Sequence, residues 1–125
     1  MIVLGVFFSL GQGGLSQTCL ENILPFAMKG PHEVIYCSSP LFLGDQAGAP
    51  YADRAAVFWR HDLEVRSNAD VLAYAGKQPI AARQKVGKGQ VEVFAGTVLG
   101  EGSEQALPFW KCSSWRGLIK RLILE

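Results

Sequence analysis

Residues 1–14 read MIVLGVFFSLGQGG, an apolar run that breaks into glycines. The segment from Ile2 to Phe8 is rich in β-branched and aromatic side chains without polar alternation, which is typical of a central strand buried on both faces. Gly11, Gly13 and Gly14 permit positive φ angles and close backbone approach. The stretch therefore predicts a buried parallel strand that leads into a loop and a helix, where α/β proteins carry their sites.

The segments that follow predict a helix, a second strand and a loop. Ser16 predicts the N-cap of a short helix that ends at Pro25, and residues 33–37 predict a second strand. Residues 38–53 mix prolines, glycines and small side chains without either periodicity, which indicates a surface loop. We therefore expect a helix at residues 16–24 and a surface loop at residues 38–53.

The second half of the chain carries clearer strand signals. Residues 70–75 predict a strand, and residues 79–86 and 90–95 flank a glycine-rich turn, which predicts a β-hairpin. Ser113 or Ser114 predicts the cap of a final helix with one apolar face. That face consists of Trp115, Leu118, Ile119, Leu122 and Ile123. We expect this helix to pack on the sheet.

Composition excludes several classes of protein. The 125 residues suit one domain, with 49% hydrophobic and 18% charged side chains. A net charge of +1 provides no field for nucleic acid or an anionic membrane, and no apolar run reaches the ~18 residues of a membrane helix. Cys19, Cys37 and Cys112 have neither zinc-ligand nor disulfide spacing. We expect no metal, no cofactor and a reducing, cytoplasmic location.

Three segments resemble glutamine amidotransferase-like proteins. The first is residues 4–14 with the helix-like segment 20–25, which reads LENILP. The second is residues 69–74 with the hairpin at 79–94, which is also similar to the β-galactosidase trimerisation domain. The third is Phe109 and Trp110 with Trp115 and the final helix. The resemblance implies a flavodoxin-like α/β sandwich of the class I glutamine amidotransferase type that ends in a β-hairpin and a final helix.

The resemblance also implies that residues 1–125 match only the later part of that domain. The sandwich would then be incomplete. Either a partner chain or a second copy covers the exposed sheet edge, or the chain is a gene fragment without an independent role, because an uncovered apolar edge aggregates.

The residues at the family's catalytic positions do not support glutaminase activity. The family's elbow carries a cysteine where Phe7 stands here, and a phenyl ring cannot attack a carbonyl. The two histidines, His32 and His61, do not lie in a late His-x-Glu arrangement. The leading hypothesis is therefore a non-catalytic domain that serves ligand binding or assembly.

A hydrolase or amidase is the alternative that the residues leave open. Ser9 or Cys37 would be the nucleophile and His61 the base, with Asp62 beside it. Each candidate also has a structural interpretation, namely a loop hydroxyl, a buried inert thiol and a surface imidazole. The glycines at positions 11, 13 and 14 could cradle an anionic ligand, or could only shape the turn.

Overall fold

Among the residues that the structure describes, the fold is mainly β, with one α-helix. In the computed structural model, residues 1–5, 9–11, 13–30 and 33–125 are described. The strands are β1 (Ile2–Leu4), β2 (Phe26–Ala27), β3 (Val34–Gly44), β4 (Ala56–His61), β5 (Glu64–Val65), β6 (Asp70–Ala75), β7 (Gln78–Val86) and β8 (Gly89–Phe94). The helix α1 is Ser113–Leu124, and short 3-10 turns span Glu21–Ile23 and Phe109–Lys111.

Six of these strands form one mixed sheet in the order β1-β8-β7-β6-β3-β4, while β2 and β5 pair separately. Only the β1–β8 pairing is parallel among the described strands, and the others are antiparallel. A flavodoxin-like sandwich needs parallel strands joined by helical crossovers. The α/β fold class is therefore wrong, because the described chain turns back through antiparallel neighbours and places its helix only after β8.

The helix expected after the glycines is absent from residues 16–24. This segment consists of turns and the 3-10 turn Glu21–Ile23. Gln17 has a φ of 63°, and its amide donates to Glu21 Oε2 at 2.6 Å, so the carboxylate stabilises a turn at this point. A left-handed residue interrupts the backbone that an α-helix requires. The apolar residues of this segment instead contribute to the core, where Leu24 is fully buried.

Strand β3 occupies the first part of the loop expected at residues 38–53, up to Gly44. It runs to Gly44, and its pairing with β4 shifts register between Tyr36 and Leu41. Such an irregularity accommodates Pro40, which lacks a backbone donor. The prolines and glycines therefore mark a bulged strand rather than the expected loop up to Gly44.

Three expected elements of the second half are present, namely strand β6 at residues 70–75, the hairpin and the final helix. Strands β7 and β8 form the hairpin, with Val86 opposite Gly89 and Gly87 at a φ of 57°. Helix α1 begins at Ser113, but neither Ser113 nor Ser114 is its N-cap residue. Instead, Asp53 accepts the Ser114 backbone N–H at 2.8 Å and both serine hydroxyls. A carboxylate from a distant loop thus satisfies the first turn of the helix.

The main core lies between the sheet and α1. Leu118 and Leu122 of the helix are buried there, whereas Ile123 is 62% exposed, so the apolar face is narrower than expected. Trp115 packs against Phe94 of β8, with ring centroids 4.6 Å apart. Full burial of a side chain such as Phe94 contributes about 1.5–3 kcal/mol. A second cluster contains Leu10, Leu24, Phe26, Ala82, Val91 and Val93.

The far edge of β4 meets the residues that follow β8. The His61 amide donates to Ala95 O at 2.8 Å, and the Thr97 amide donates to Trp59 O at 3.0 Å. On the other side of the same segment, the Gly5 amide donates to Phe94 O at 2.6 Å. The sheet curls so that β4 and the end of β1 lie on either side of the residues at the end of β8. This curl brings His61 towards the segment that follows β1.

Strand β1 lies at an edge of the described sheet and is not buried on both faces. Ile2 and Leu4 are 39% and 44% exposed, which contradicts the central position expected for this strand. The β-rich composition indicated a strand correctly, but burial depends on neighbours that the composition does not show. That a second copy or another chain covers this edge stays a prediction.

Candidate active site

Three polar side chains from separate segments meet at one end of the sheet. Ser9 follows β1, Glu33 precedes β3, and His61 ends β4. Ser9 Oγ lies 3.4 Å from His61 Nε2, and Glu33 Oε1 lies 2.9 Å from His61 Nδ1. The side chains of Glu33 and His61 have no exposed surface, while Ser9 is half-buried. This order of hydroxyl, imidazole and carboxylate is that of a nucleophile, a base and a group that orients the base.

The pairing of β3 with β4 fixes the imidazole beside the carboxylate. Val34 lies opposite His61, and the Asp62 amide donates to Glu33 O at 2.7 Å. The ladder therefore continues one residue beyond the strands and places the Glu33 backbone beside Asp62, the neighbour of His61, while the Glu33 carboxylate turns to the His61 imidazole. Because this contact depends on strand register, a shift by one residue would turn His61 to the other face of the sheet.

The backbone next to Ser9 adopts a conformation that side chains rarely take. Leu10 has a φ of 54° and is fully buried. A left-handed residue other than glycine costs roughly 1–2 kcal/mol. Burial of Leu10 with Leu24 and Phe26 compensates this strain, and the Leu15 amide closes the turn by donating to Leu10 O at 2.9 Å. Strained residues of this kind are enriched at functional sites, where the surrounding structure holds them.

The glycine segment supports the carboxylate. The Gly11 amide donates to Glu33 Oε1 at 2.7 Å. A Cβ at Gly11 would overlap Gly30 O and Glu33 Oε2, so this position has no room for a side chain. The Gly13 amide donates to Ser9 O at 2.9 Å and the Gly14 amide to Gly11 O at 3.0 Å. All three glycine amides that were candidates for an anionic ligand are directed at acceptors of the protein itself.

The hydrogen bonds around Glu33 select one tautomer of His61. Glu33 Oε1 accepts from Gly11 N–H, and an ionised carboxylate also accepts from an imidazole Nδ1–H. In the neutral imidazole with its proton on Nδ1, the Nε2 lone pair faces Ser9 Oγ. Among the described residues, Glu33 Oε2 is buried and has no hydrogen-bond partner. A carboxylate in this state is the kind of buried polar group that functional sites retain.

Cys37, the other candidate nucleophile, lies on the opposite face of the strand pair. Tyr36 shares a face with Trp59 and His61, so its neighbour Cys37 points away from them. Burial raises the pKa of the Cys37 thiol above 9.0, and the Arg60 guanidinium only partly opposes this effect. The structure thus brings Ser9 and His61 together but not Cys37 and His61.

Glu33 is the residue that sequence reasoning missed. In the sequence it is only the first residue of an expected strand, and Asp62 is the expected partner of His61. Asp62 instead forms ion pairs with Lys29 at 3.0 Å and Arg60 at 3.4 Å. An acidic residue directly before an apolar strand was the available signal, but only the register of β3 against β4 reveals its partner. Phe7 and His32, which bear on the glutaminase elbow and base, lie outside the described residues.

The described ranges offer neither a metal-binding cluster nor a membrane-spanning helix. Within them, no three histidine, cysteine, aspartate or glutamate side chains are grouped so that they could hold a metal ion. In the same part of the chain, α1 and the shorter turns include no helix long and apolar enough to cross a membrane.

Comparisons with known proteins support the fold alone. No protein-family model matches the chain, and no curated protein matches it. A cytoplasmic protein of Salmonella typhimurium LT2 is similar in structure, with a TM-score of 0.78 over 98% of this chain and 18% identity. A second Salmonella typhimurium cytoplasmic protein aligns over 97% of the chain with a TM-score of 0.73 and 14% identity. The chain covers 53% of each, and so spans about half the length of these structures.

Proposed function

We propose that the protein is a serine-dependent hydrolase of carboxylic esters or amides. The observation that carries this proposal is the contact of Ser9 with His61 and of His61 with Glu33. Ser9 is the nucleophile, His61 the general base and Glu33 the group that orients the imidazole. The Ser9–His61 distance is long for a hydrogen bond, as is common in catalytic pairs without a substrate.

The reaction divides into two transfers of an acyl group. Ser9 Oγ attacks the substrate carbonyl carbon while His61 Nε2 accepts the hydroxyl proton, and the tetrahedral intermediate expels the alcohol or amine, which takes that proton. Water then attacks the acyl-Ser9 ester while His61 accepts a water proton. The acid leaves, and the proton returns to Ser9 Oγ. Ester and water thus yield acid and alcohol, with the enzyme unchanged.

This proposal rests on the three side chains and not on the resemblance to glutamine amidotransferases. The fold implied by that resemblance is not the one observed, and the cysteine thiolate of that family has no counterpart in Ser9. We also propose a cytoplasmic location, which is supported by the two similar Salmonella typhimurium proteins described above as cytoplasmic and by the free thiols of Cys19, Cys37 and Cys112.

The competing interpretation is a domain without catalysis, in which the same contacts only stabilise the turn after β1. The two interpretations differ in what Ser9 can do. A nucleophile forms a covalent adduct with a fluorophosphonate, whereas a structural hydroxyl of ordinary reactivity does not.

The deciding experiment combines labelling with ester hydrolysis. We expect a fluorophosphonate to modify Ser9, as located by peptide mass spectrometry, and Ser9→Ala to lower kcat by roughly a thousandfold or more. His61→Ala should have a similar effect, and Glu33→Gln should lower kcat while the protein stays folded. The matched control is Ser16→Ala, a half-buried serine of the same segment, which should behave like wild type. Labelling at another residue, or full activity in Ser9→Ala, would refute the proposal.

A further inference from the structure

Two aromatic rings lie on the same face of the β3–β4 pair as His61. Val34 lies opposite His61, and Tyr36 lies opposite Trp59, with no register shift between these two pairs. Paired residues share a face, and so do residues two apart along a strand. Trp59 and Tyr36 therefore stand one step beyond His61, at roughly 7 Å along the strands.

The outer ring of this pair is open to solvent. Tyr36 is 60% exposed, although its ring packs against Trp59 with centroids 5.2 Å apart and an interplanar angle of 54°. Trp59 is half-buried, and its carbonyl accepts from the amide and the hydroxyl of Thr97. The backbone of Trp59 is thus held by Thr97, while the Tyr36 ring presents apolar surface one step along the strands from the His61 position.

The chemistry of this face is apolar. Besides His61, its members between the Val34–His61 and Tyr36–Trp59 pairs are Val34, Tyr36 and Trp59, while Arg60 and Cys37 belong to the opposite face. No charged side chain of these paired residues stands next to the rings on their own face. A neutral planar ring suits such a surface better than a charged group.

We propose that the hydrolase acts on esters or amides whose acyl part carries an aromatic ring, which stacks on Tyr36 and Trp59. This inference rests on the proposed function, because it needs the carbonyl at Ser9. A short aliphatic spacer between ring and carbonyl spans the step from Trp59 to His61. Tyr36 is then a residue that determines specificity through binding and takes no part in the proton transfers.

The kinetic test compares two substrates with the same leaving group and a six-membered ring. We expect wild type to prefer ethyl hydrocinnamate to ethyl cyclohexanepropanoate by about two- to twelvefold in kcat/KM, the range of one aromatic contact. Tyr36→Ala should remove this preference, mainly through KM, while Tyr36→Phe keeps it. An unchanged preference in Tyr36→Ala would overturn the inference without affecting the proposed function.

A binding measurement separates the two proposals. Hydrocinnamate added to the Ser9→Ala protein should shift the Trp59 indole N–H resonance, assigned with Trp59→Phe, and Tyr36→Ala should weaken this binding. A shift without any Ser9-dependent hydrolysis would leave the ring site standing and refute the proposed function. Absence of a shift at millimolar hydrocinnamate in protein that hydrolyses esters through Ser9 would refute the ring site alone, and absence of both would refute both.

Discussion

The substitution Gly11→Ala tests the link between the glycine segment and the cluster of Ser9, His61 and Glu33. The added Cβ would overlap two groups that cannot easily move, the backbone Gly30 O and the carboxylate of Glu33, whose side chain is wholly buried. Forcing an extra methyl group into a packed interior costs about 1–3 kcal/mol. Displacing Glu33 also breaks the 2.7 Å hydrogen bond from the Gly11 amide, a bond to a charged group worth about 1.5–3 kcal/mol. We therefore expect a loss of roughly 3–5 kcal/mol in the free energy of unfolding.

Substitutions at two other glycines serve as controls, one of which should lower and the other raise the free energy of unfolding. Gly14 has a φ of 81°, and a Cβ at this position would meet nothing within 4 Å, so Gly14→Ala should show strain alone, about 1–2 kcal/mol. Gly117 lies inside α1 with equally open surroundings, and Gly117→Ala should stabilise by about 0.5–1 kcal/mol. Urea unfolding followed by far-ultraviolet circular dichroism measures all three. If Gly11→Ala were no less stable than Gly14→Ala, the close packing of Gly11 on Glu33 would be refuted.

The remaining predictions concern the attachment of α1. Asp53→Ala removes the acceptor for the Ser114 amide and should destabilise by about 1 kcal/mol in the same unfolding assay, whereas an unchanged midpoint would show that the cap contributes nothing. Burial opposes ionisation of Asp45, but the hydrogen bonds from Tyr51 and Arg121 prevail and hold its pKa below 3.8. A lowered folded-state pKa means that this stabilisation is present above about pH 4 and lost as the pH falls further, so Asp45→Asn should flatten the acid limb of the stability profile. An identical acid limb in the variant would show that Asp45 does not contribute.

Local signals in the sequence predicted the elements whose partners are close in the chain. The hairpin β7–β8 needs only two β-forming segments and a glycine turn, and α1 needs only its apolar spacing. The fold class failed because the described strands other than β1 pair antiparallel in the sheet, and because β1 pairs with β8, a distant partner that no local pattern identifies. The spacing of Leu20, Ile23 and Leu24 also fits a turn that buries Leu24, so it could not establish a helix.

The candidate site was predictable only in part, because it also depends on contacts between residues that are far apart in the chain. Ser9 and His61 could be named from residue type and position, but nothing local indicated that they meet. Their contact requires the curl that brings β4 to the end of β8. The role of Glu33 could not be predicted, because an acidic residue before a strand gives no sign of its partner in the sequence. Only the pairing of β3 with β4 brings it near an imidazole.

The long-range pairing of β1 has a consequence for the order of folding. Met1 donates to Gln90 O from 89 positions away, and Ser9 meets His61 across 52 positions, whereas β6, β7 and β8 follow one another directly. Distant pairings form late because they must first overcome the entropy of closing a long loop. The meander β6–β8 would therefore appear early, and the serine would join its histidine only in the final phase. In a refolding experiment, the proposed ester hydrolysis should return with the slowest phase, and its return together with the first β-sheet signal would contradict this order.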